Sequence, residues 1–186
     1  MNAELLTATS SVATLLVVAV TAYAALRQIK HLRSGNQVAA LLPLTDEYQS
    51  DQIRKSLDYI IGTLQADLND PAVRAGVVAR PATGLARKAM SCLNFYESVG
   101  ALVCAGALDL ELVLRYFTLP SEVWEISSDY IALTRRSRGP EVFENFEALV
   151  ALENKHAKRH GTSRYPSGLP HIEAPDRWAA ADGLGS

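Results

Sequence analysis

Residues Gly84 to Gly106, GLARKAMSCLNFYESVGALVCAG, hold the richest run of apolar side chains outside the N-terminal region. At helical spacing they form one broad stripe, made of Leu85, Ala89, Met90, Cys92, Leu93, Phe95, Tyr96, Val99, Leu102 and Val103. A helix that is apolar over most of its circumference has to be enclosed by other helices. The segment is therefore predicted to be the central helix of an all-α bundle.

Capping residues, glycines and prolines divide the rest of the chain into further helices, and the sequence has no convincing strand-like alternation. The expected helix starts are Ser50 or Asp51, Asp70-Pro71, Asp109, Pro120 and Gly139-Pro140. The last helix is expected to carry Val142 and Phe143 on its apolar face. Residues 50–161 are thus predicted to form a compact bundle of about five or six helices.

The N-terminal region indicates a membrane anchor, because residues 5–26 carry no charge. A transmembrane helix needs about 20 mainly apolar residues. A cleaved signal peptide is the main alternative, with Ala22-Tyr23-Ala24 as its cleavage site, and a buried hairpin helix of a soluble domain is another. The acidic start and the long uncharged run favour the anchor. Residues 1–4 are then a short extracytoplasmic N-terminus.

Basic residues directly after the uncharged run set its predicted orientation. Arg27, Lys30 and Arg33 follow within two turns, whereas Glu4 is the one charged side chain before the run. Cations next to a span favour the cytoplasmic side, so the N-terminus is predicted to lie outside. All three cations are expected to contact lipid headgroups. Residues 27–49 are predicted to be a juxtamembrane helical connector that Pro43 kinks or stops.

Composition limits the remaining possibilities. The C-terminal residues 162–186 are poor in large apolar side chains and are predicted to be disordered. The formal net charge of -2 removes the driving force for general nucleic-acid binding. Cys92 and Cys104 are too few for a disulfide framework.

Three stretches of the chain carry a resemblance: RQIKHLRSGNQ from Arg27, NFYESVGALV from Asn94, and FENFEALV from Phe143. They resemble an uncharacterised bacterial family, a domain of unknown function found in small proteins with one N-terminal span and a helical cytoplasmic domain. The resemblance covers roughly Arg27 to Gly161. It implies a single-pass anchor and an all-helical domain. Together with the predicted orientation, this leads us to expect a protein of the bacterial inner membrane with a helical cytoplasmic part. It implies no activity and no catalytic residues.

Two groups of polar residues are candidate sites. Glu153, His156 and His160 have the spacing of a metal half-site, although Lys155 and Lys158 beside them oppose a dication. A solvated, cationic helix end is the simpler interpretation of this group.

A second candidate site consists of Asn94, Glu97 and Asn145, which would form a polar layer that fixes helix register, or line a pocket, if they faced the core. An exposed Asn94, with Glu144 and Glu147 beside an apolar face, is the preferred alternative.

These features favour a non-catalytic function, namely a membrane-anchored interaction or regulatory module at the cytoplasmic face. No nucleophile–base set or phosphate-binding loop is present in the sequence, and no cofactor is expected. The expected partners are the lipid bilayer and a protein, with a second copy as a further candidate. Two alternatives remain open. One is a small-molecule sensor around Tyr96, Trp124 and Phe146, and the other is a metal-dependent enzyme that uses Glu153, His156 and His160.

Overall fold

The computed structural model describes residues 3–79, 83–117, 120–161, 168–170 and 172, with side chains omitted at residues 3–10, 12 and 29–34. All its regular elements in these ranges are helical. They are α1 Ala3–Tyr48, α2 Asp51–Gly62, α3 Leu64–Asp67, α4 Pro71–Val78, a 3-10 turn Gly84–Ala86, α5 Arg87–Cys104, α6 Leu110–Tyr116, α7 Pro120–Arg138 and α8 Glu144–His160. The predicted all-α bundle is confirmed.

Helix α5 lies at the centre of the bundle, as its sequence predicts. Its buried side chains are Ala89, Cys92, Leu93, Phe95, Tyr96 and Val99, together with Gly100. The Tyr96 ring stacks on Phe146 of α8 with centroids 5.0 Å apart, and Phe95 meets Phe117 edge to face at 5.2 Å. Helices α2 and α8 pack against α5, so its apolar surface is shielded from water on several sides.

Capping side chains set several helix starts where the sequence predicts them. The Ser50 hydroxyl accepts a hydrogen bond from the backbone N–H of Ile53 at 3.3 Å. The carboxylates of Asp70 and Asp109 do the same at α4 and α6, at 2.8 and 2.9 Å. Helix α7 begins at Pro120. These starts were predictable because each depends on residues within one turn.

The last helix begins later than the sequence indicates. Helix α8 starts at Glu144, so the expectation that Val142 and Phe143 belong to it is wrong. Phe143 has a left-handed backbone with φ of 62°, which is uncommon for a residue other than glycine. Its side chain is 3% exposed, and this burial compensates for the unfavourable backbone. Tertiary packing therefore overrides the local pattern at this turn.

Helix α1 runs without interruption for 46 residues, through both Gly35 and Pro43. Of the two predicted effects of Pro43, the stop is therefore wrong and the kink stays a prediction. Proline removes one backbone hydrogen bond, which is a local cost. Leu41 and Leu44, on either side of Pro43, are both buried in the bundle, and their packing holds the helix in place through the proline.

The side chains that the structure describes in the N-terminal half of α1 are exposed. Large apolar side chains from Leu15 to Leu26 are mostly exposed. Among the residues that the structure describes, no helix is both long enough and apolar enough to cross a membrane. The predicted span over residues 5–26 includes residues 5–10 and 12, whose side chains lie outside the described set.

Other sequence-based expectations fall largely outside the described residues. The predicted disordered tail, residues 162–186, is described only at residues 168–170 and 172. Residues 1 and 2 of the predicted extracytoplasmic N-terminus are also outside, as is Pro81, which was expected to end α4.

Helices α5 and α8 approach each other closely at Gly100. A Cβ atom at this position would overlap the backbone carbonyl of Asn145. Backbone atoms cannot move aside as a flexible side chain can. Gly100 therefore sets the distance between the two helices.

We predict that Gly100→Ala destabilises the bundle by about 1–3 kcal/mol, because the added methyl group overpacks the contact between α5 and α8. Denaturant unfolding of the full chain, followed by helical circular dichroism, measures the change. Gly62→Ala is the matched control, since no atom lies within 4 Å of its Cβ position. Equal stability of the Gly100 variant and the unsubstituted protein would contradict this explanation.

Candidate functional site

The contact between Glu97 of α5 and the first turn of α8 joins two long helices of the core. One carboxylate oxygen of Glu97 accepts hydrogen bonds from the Asn145 side-chain amide at 2.8 Å and from its backbone N–H at 3.4 Å. The other oxygen accepts from the backbone N–H of Phe146 at 2.8 Å. Asn145 and Phe146 are the second and third residues of α8, whose N–H groups a capping side chain normally satisfies.

Glu97 supplies the N-terminal cap that α8 lacks in its own sequence. Phe143, the residue before α8, makes no side-chain capping bond. A carboxylate at a helix N-terminus also interacts favourably with the helix dipole. Glu97 and Asn145 therefore hold α5 and α8 in register. This is the role that a register-fixing polar layer would have, although Asn94 takes no part in it.

Asn94 does not join this contact. It is exposed and lies beside a shallow polar groove of about 210 Å³ at the joint between α1 and α2. The groove is lined by Glu47, Ser50, Gln52, Ile53, Ser91 and Asn94. The structure thus brings together two of the three predicted residues and separates the third.

We predict that Glu97→Gln lowers the free energy of unfolding by about 1–3 kcal/mol, because one charged acceptor serves three donors. The same denaturant titration measures it. Glu125→Gln, at an exposed carboxylate on α7, is the control and should change stability by less than about 0.5 kcal/mol. If both substitutions have the same effect, the cross-helix cap does not stabilise the bundle.

The candidate metal ligands on α8 point to different partners. Glu153 accepts hydrogen bonds from the backbone N–H of Ser121 at 3.0 Å and from its hydroxyl at 2.6 Å, so it caps the start of α7. His156 faces α6, with its Nε2 atom 3.8 Å from a Glu111 carboxylate oxygen, and its ring lies 4.7 Å from that of His160. Among the described residues, no three His, Cys, Asp or Glu side chains are grouped so as to hold a metal ion.

The aromatic residues named for a ligand pocket contact one another directly. Trp124 meets Phe146 edge to face at 5.2 Å, and Phe146 stacks on Tyr96. Burial is the main cause that raises the pKa of the Tyr96 hydroxyl, with a smaller contribution from the nearby Tyr48. The three rings are therefore part of the packed core.

A contact that the sequence analysis missed attaches α1 to the core. The Tyr48 ring lies 5.4 Å from that of Phe95 and 5.3 Å from that of Phe117, between α5 and the end of α6. Leu41 and Leu44 lie on the same side of α1 and are buried. The helical spacing of Leu41, Leu44 and Tyr48 indicates this buried side of α1, but only if the helix continues through Pro43.

The basic residues after the uncharged run lie on the part of α1 that projects from the bundle. Arg27 is exposed. Lys30 and Arg33 are within the helix, but their side chains lie outside the described set. Among the ion pairs of the described residues, none involves Arg27.

Comparison with known proteins identifies one family. A model of a domain of unknown function, DUF4760, matches residues 11–152. No curated protein and no solved structure matches the chain. The matched range covers most of α1 and continues into α8, so it includes both the projecting helix and the bundle.

Proposed function

This chain belongs to the DUF4760 family, and we propose that it is a non-catalytic module that α1 tethers to the bacterial inner membrane, where the bundle engages a protein partner at the cytoplasmic face. A tether of this kind raises the effective concentration of a binding surface near the bilayer.

The continuity of α1 is the observation that carries the proposal. One end of the helix is fixed in the core by Leu41, Leu44 and Tyr48. At the other end, Leu15 is 70% exposed and Leu26 is 68% exposed. Exposed apolar side chains on all sides of a helix are unfavourable in water and favourable in lipid. Insertion of this end into a bilayer would remove that cost.

The charge distribution supports an orientation with the N-terminus outside. Arg27 lies one residue beyond the uncharged run, and Lys30 and Arg33 follow it in the sequence. Each cation near an anionic surface contributes about 1 kcal/mol. The bundle, which follows these residues along the chain, would then lie on the cytoplasmic side.

We predict that the full chain stays in the membrane pellet after an alkaline carbonate wash and that Leu15→Arg combined with Leu16→Arg releases it. Each arginine near the middle of a span costs about 2.5–3.5 kcal/mol on insertion scales. Immunoblotting of the pellet and the supernatant measures the released fraction.

The matched control introduces two arginines at exposed apolar residues of the bundle, Ile61 and Val78, and should leave the chain in the pellet. Release of the unsubstituted chain by carbonate, or equal retention of the two double variants, would contradict the tether.

The two native cysteines provide a test of orientation. Cys104 is exposed, whereas Cys92 is buried, and burial raises the pKa of the Cys92 thiol to about 12. Because only the thiolate reacts readily, Cys92 should stay unlabelled near neutral pH. We predict that a membrane-impermeant maleimide labels the chain in inside-out vesicles and not in intact spheroplasts. Cys104→Ser should abolish the labelling, and labelling from outside would reverse the proposed orientation.

A further inference from the structure

One buried nitrogen of α8 has no hydrogen-bond partner among the described residues. It is Nε2 of His156, on a side chain that is 27% exposed. A carboxylate oxygen of Glu111, in the first turn of α6, lies 3.8 Å from it. That separation is within reach of an ion pair and too long for a hydrogen bond. Because a buried polar atom without a partner lowers stability, this contact between α6 and α8 has an unfavourable component.

The charge state of His156 determines the strength of the contact. A neutral imidazole has one nitrogen without a proton, and a lone pair on Nε2 faces the lone pairs of the carboxylate. In the imidazolium form both nitrogens donate, and a positive charge lies next to the negative charge of Glu111. Histidine is the side chain that ordinarily changes its charge between about pH 5 and pH 8. The geometry is therefore suited to the protonated ring.

Charged and titratable groups on the neighbouring helices leave Glu111 in place as the partner of the imidazole. On α6, Arg115 lies one turn after Glu111 and is exposed, and on α7, Glu122 is exposed as well. On α5, Tyr96 and Glu97 both contact the first turn of α8, about 15 Å along that helix from the imidazole. Water screens the exposed groups, so they modify the contact without replacing it.

On α8 itself, His160 is the neighbour that competes for the proton. Its ring lies 4.7 Å from that of His156, so a charge on one imidazole opposes a charge on the other. Glu153, one turn before His156, is bonded to Ser121. The other charged residues of this part of α8 are the exposed cations Lys155, Lys158 and Arg159. The ion pairs of the described residues include Glu111 with His156 and none with His160, which favours His156 as the charged ring.

Helix α6 depends on its neighbours for stability. It has seven residues, fewer than an isolated helix needs to form in water. Its Val113 and Leu114 side chains are buried, and Phe117 at its end packs against the Tyr48 ring at 5.3 Å. Helix α6 therefore lies between α8 and the last residue of α1.

We propose that His156 and Glu111 form a proton-dependent clasp between α8 and α6. Protonation of His156 converts the contact into a charged hydrogen bond from Nε2 to the carboxylate, and this bond holds α6 against the bundle. Loss of the proton returns the contact to its weak form. The local stability of α6 is therefore greatest at acidic pH and falls as the pH rises. Because the clasp lies within the bundle, it does not require the tether.

Amide hydrogen exchange of the full chain, resolved by peptide mass spectrometry, tests the clasp. Exchange rates of residues 110–117 are divided by their intrinsic rates at about pH 5.5 and about pH 7.5, within the range in which histidine titrates. Because the Glu111 side chain is 63% exposed and screened by water, we expect about two- to fivefold more protection of α6 at the lower pH. Helix α4, which has eight residues and no histidine, is the internal reference.

Matched substitutions identify the groups that carry the effect. His156→Gln and Glu111→Gln should each reduce the ratio of protection at the two pH values to that of α4, and the double variant should reduce it no further. His160→Gln, one turn away on the same helix, is the control and should keep the ratio. Each ratio compares one variant with itself, so a uniform loss of α6 stability does not affect it.

Equal protection of α6 at both pH values in the unsubstituted chain would overturn the clasp. So would a ratio that persists in His156→Gln or Glu111→Gln, or one that His160→Gln removes as completely as His156→Gln does. A further measurement needs no substitution. Salt at about 0.5 M should reduce the ratio, because it screens an ion pair that is open to solvent, and an unchanged ratio would contradict a contact between charges.

Discussion

The enclosure of α5 is the constraint on which the bundle depends. Its apolar side chains leave too little polar surface for a position at the edge of the structure, so the other helices have to surround it. Gly100 lets α8 come close on one side. On another side the Ser56 hydroxyl of α2 donates to the carbonyl of Lys88 at 2.6 Å and accepts from the N–H of Cys92 at 3.0 Å. Small residues and short polar contacts therefore bring both neighbours close to the same helix.

Two carboxylates that resemble functional groups in the sequence have structural roles in the bundle. Glu97 of α5 caps α8, and Glu153 of α8 caps α7. Each carboxylate caps a helix other than its own. Charged hydrogen bonds therefore link α5 to α8 and α8 to α7, in addition to apolar packing. An unpaired N–H group at a buried helix end is unfavourable, and these bonds remove that cost.

The sequence predicts features of this fold that depend on near neighbours. Ser50, Asp70 and Asp109 cap helices through residues within a turn, and the α5 stripe is visible as a periodicity. The predicted helix stop at Pro43 and the predicted helical position of Phe143 are wrong, because distant packing overrides the local preference at both residues. The contact of Glu97 with Asn145 was one of several arrangements that the sequence left open, because spacing along the chain does not reveal which helices are neighbours. Tyr48 was missed since its partners, Phe95 and Phe117, are far away in the sequence.

The uninterrupted course of α1 restricts how the bundle can move. A flexible linker after Leu26 would let the apolar end and the bundle reorient independently of each other. A continuous helix fixes both the distance and the orientation between the two parts, and it spans about 21 Å from Arg27 to Leu41. A rotation or tilt of the apolar end would therefore act on the aromatic contacts of Tyr48. A fragment that begins at Ser50 would lack the Tyr48 ring, which packs against Phe95 and Phe117.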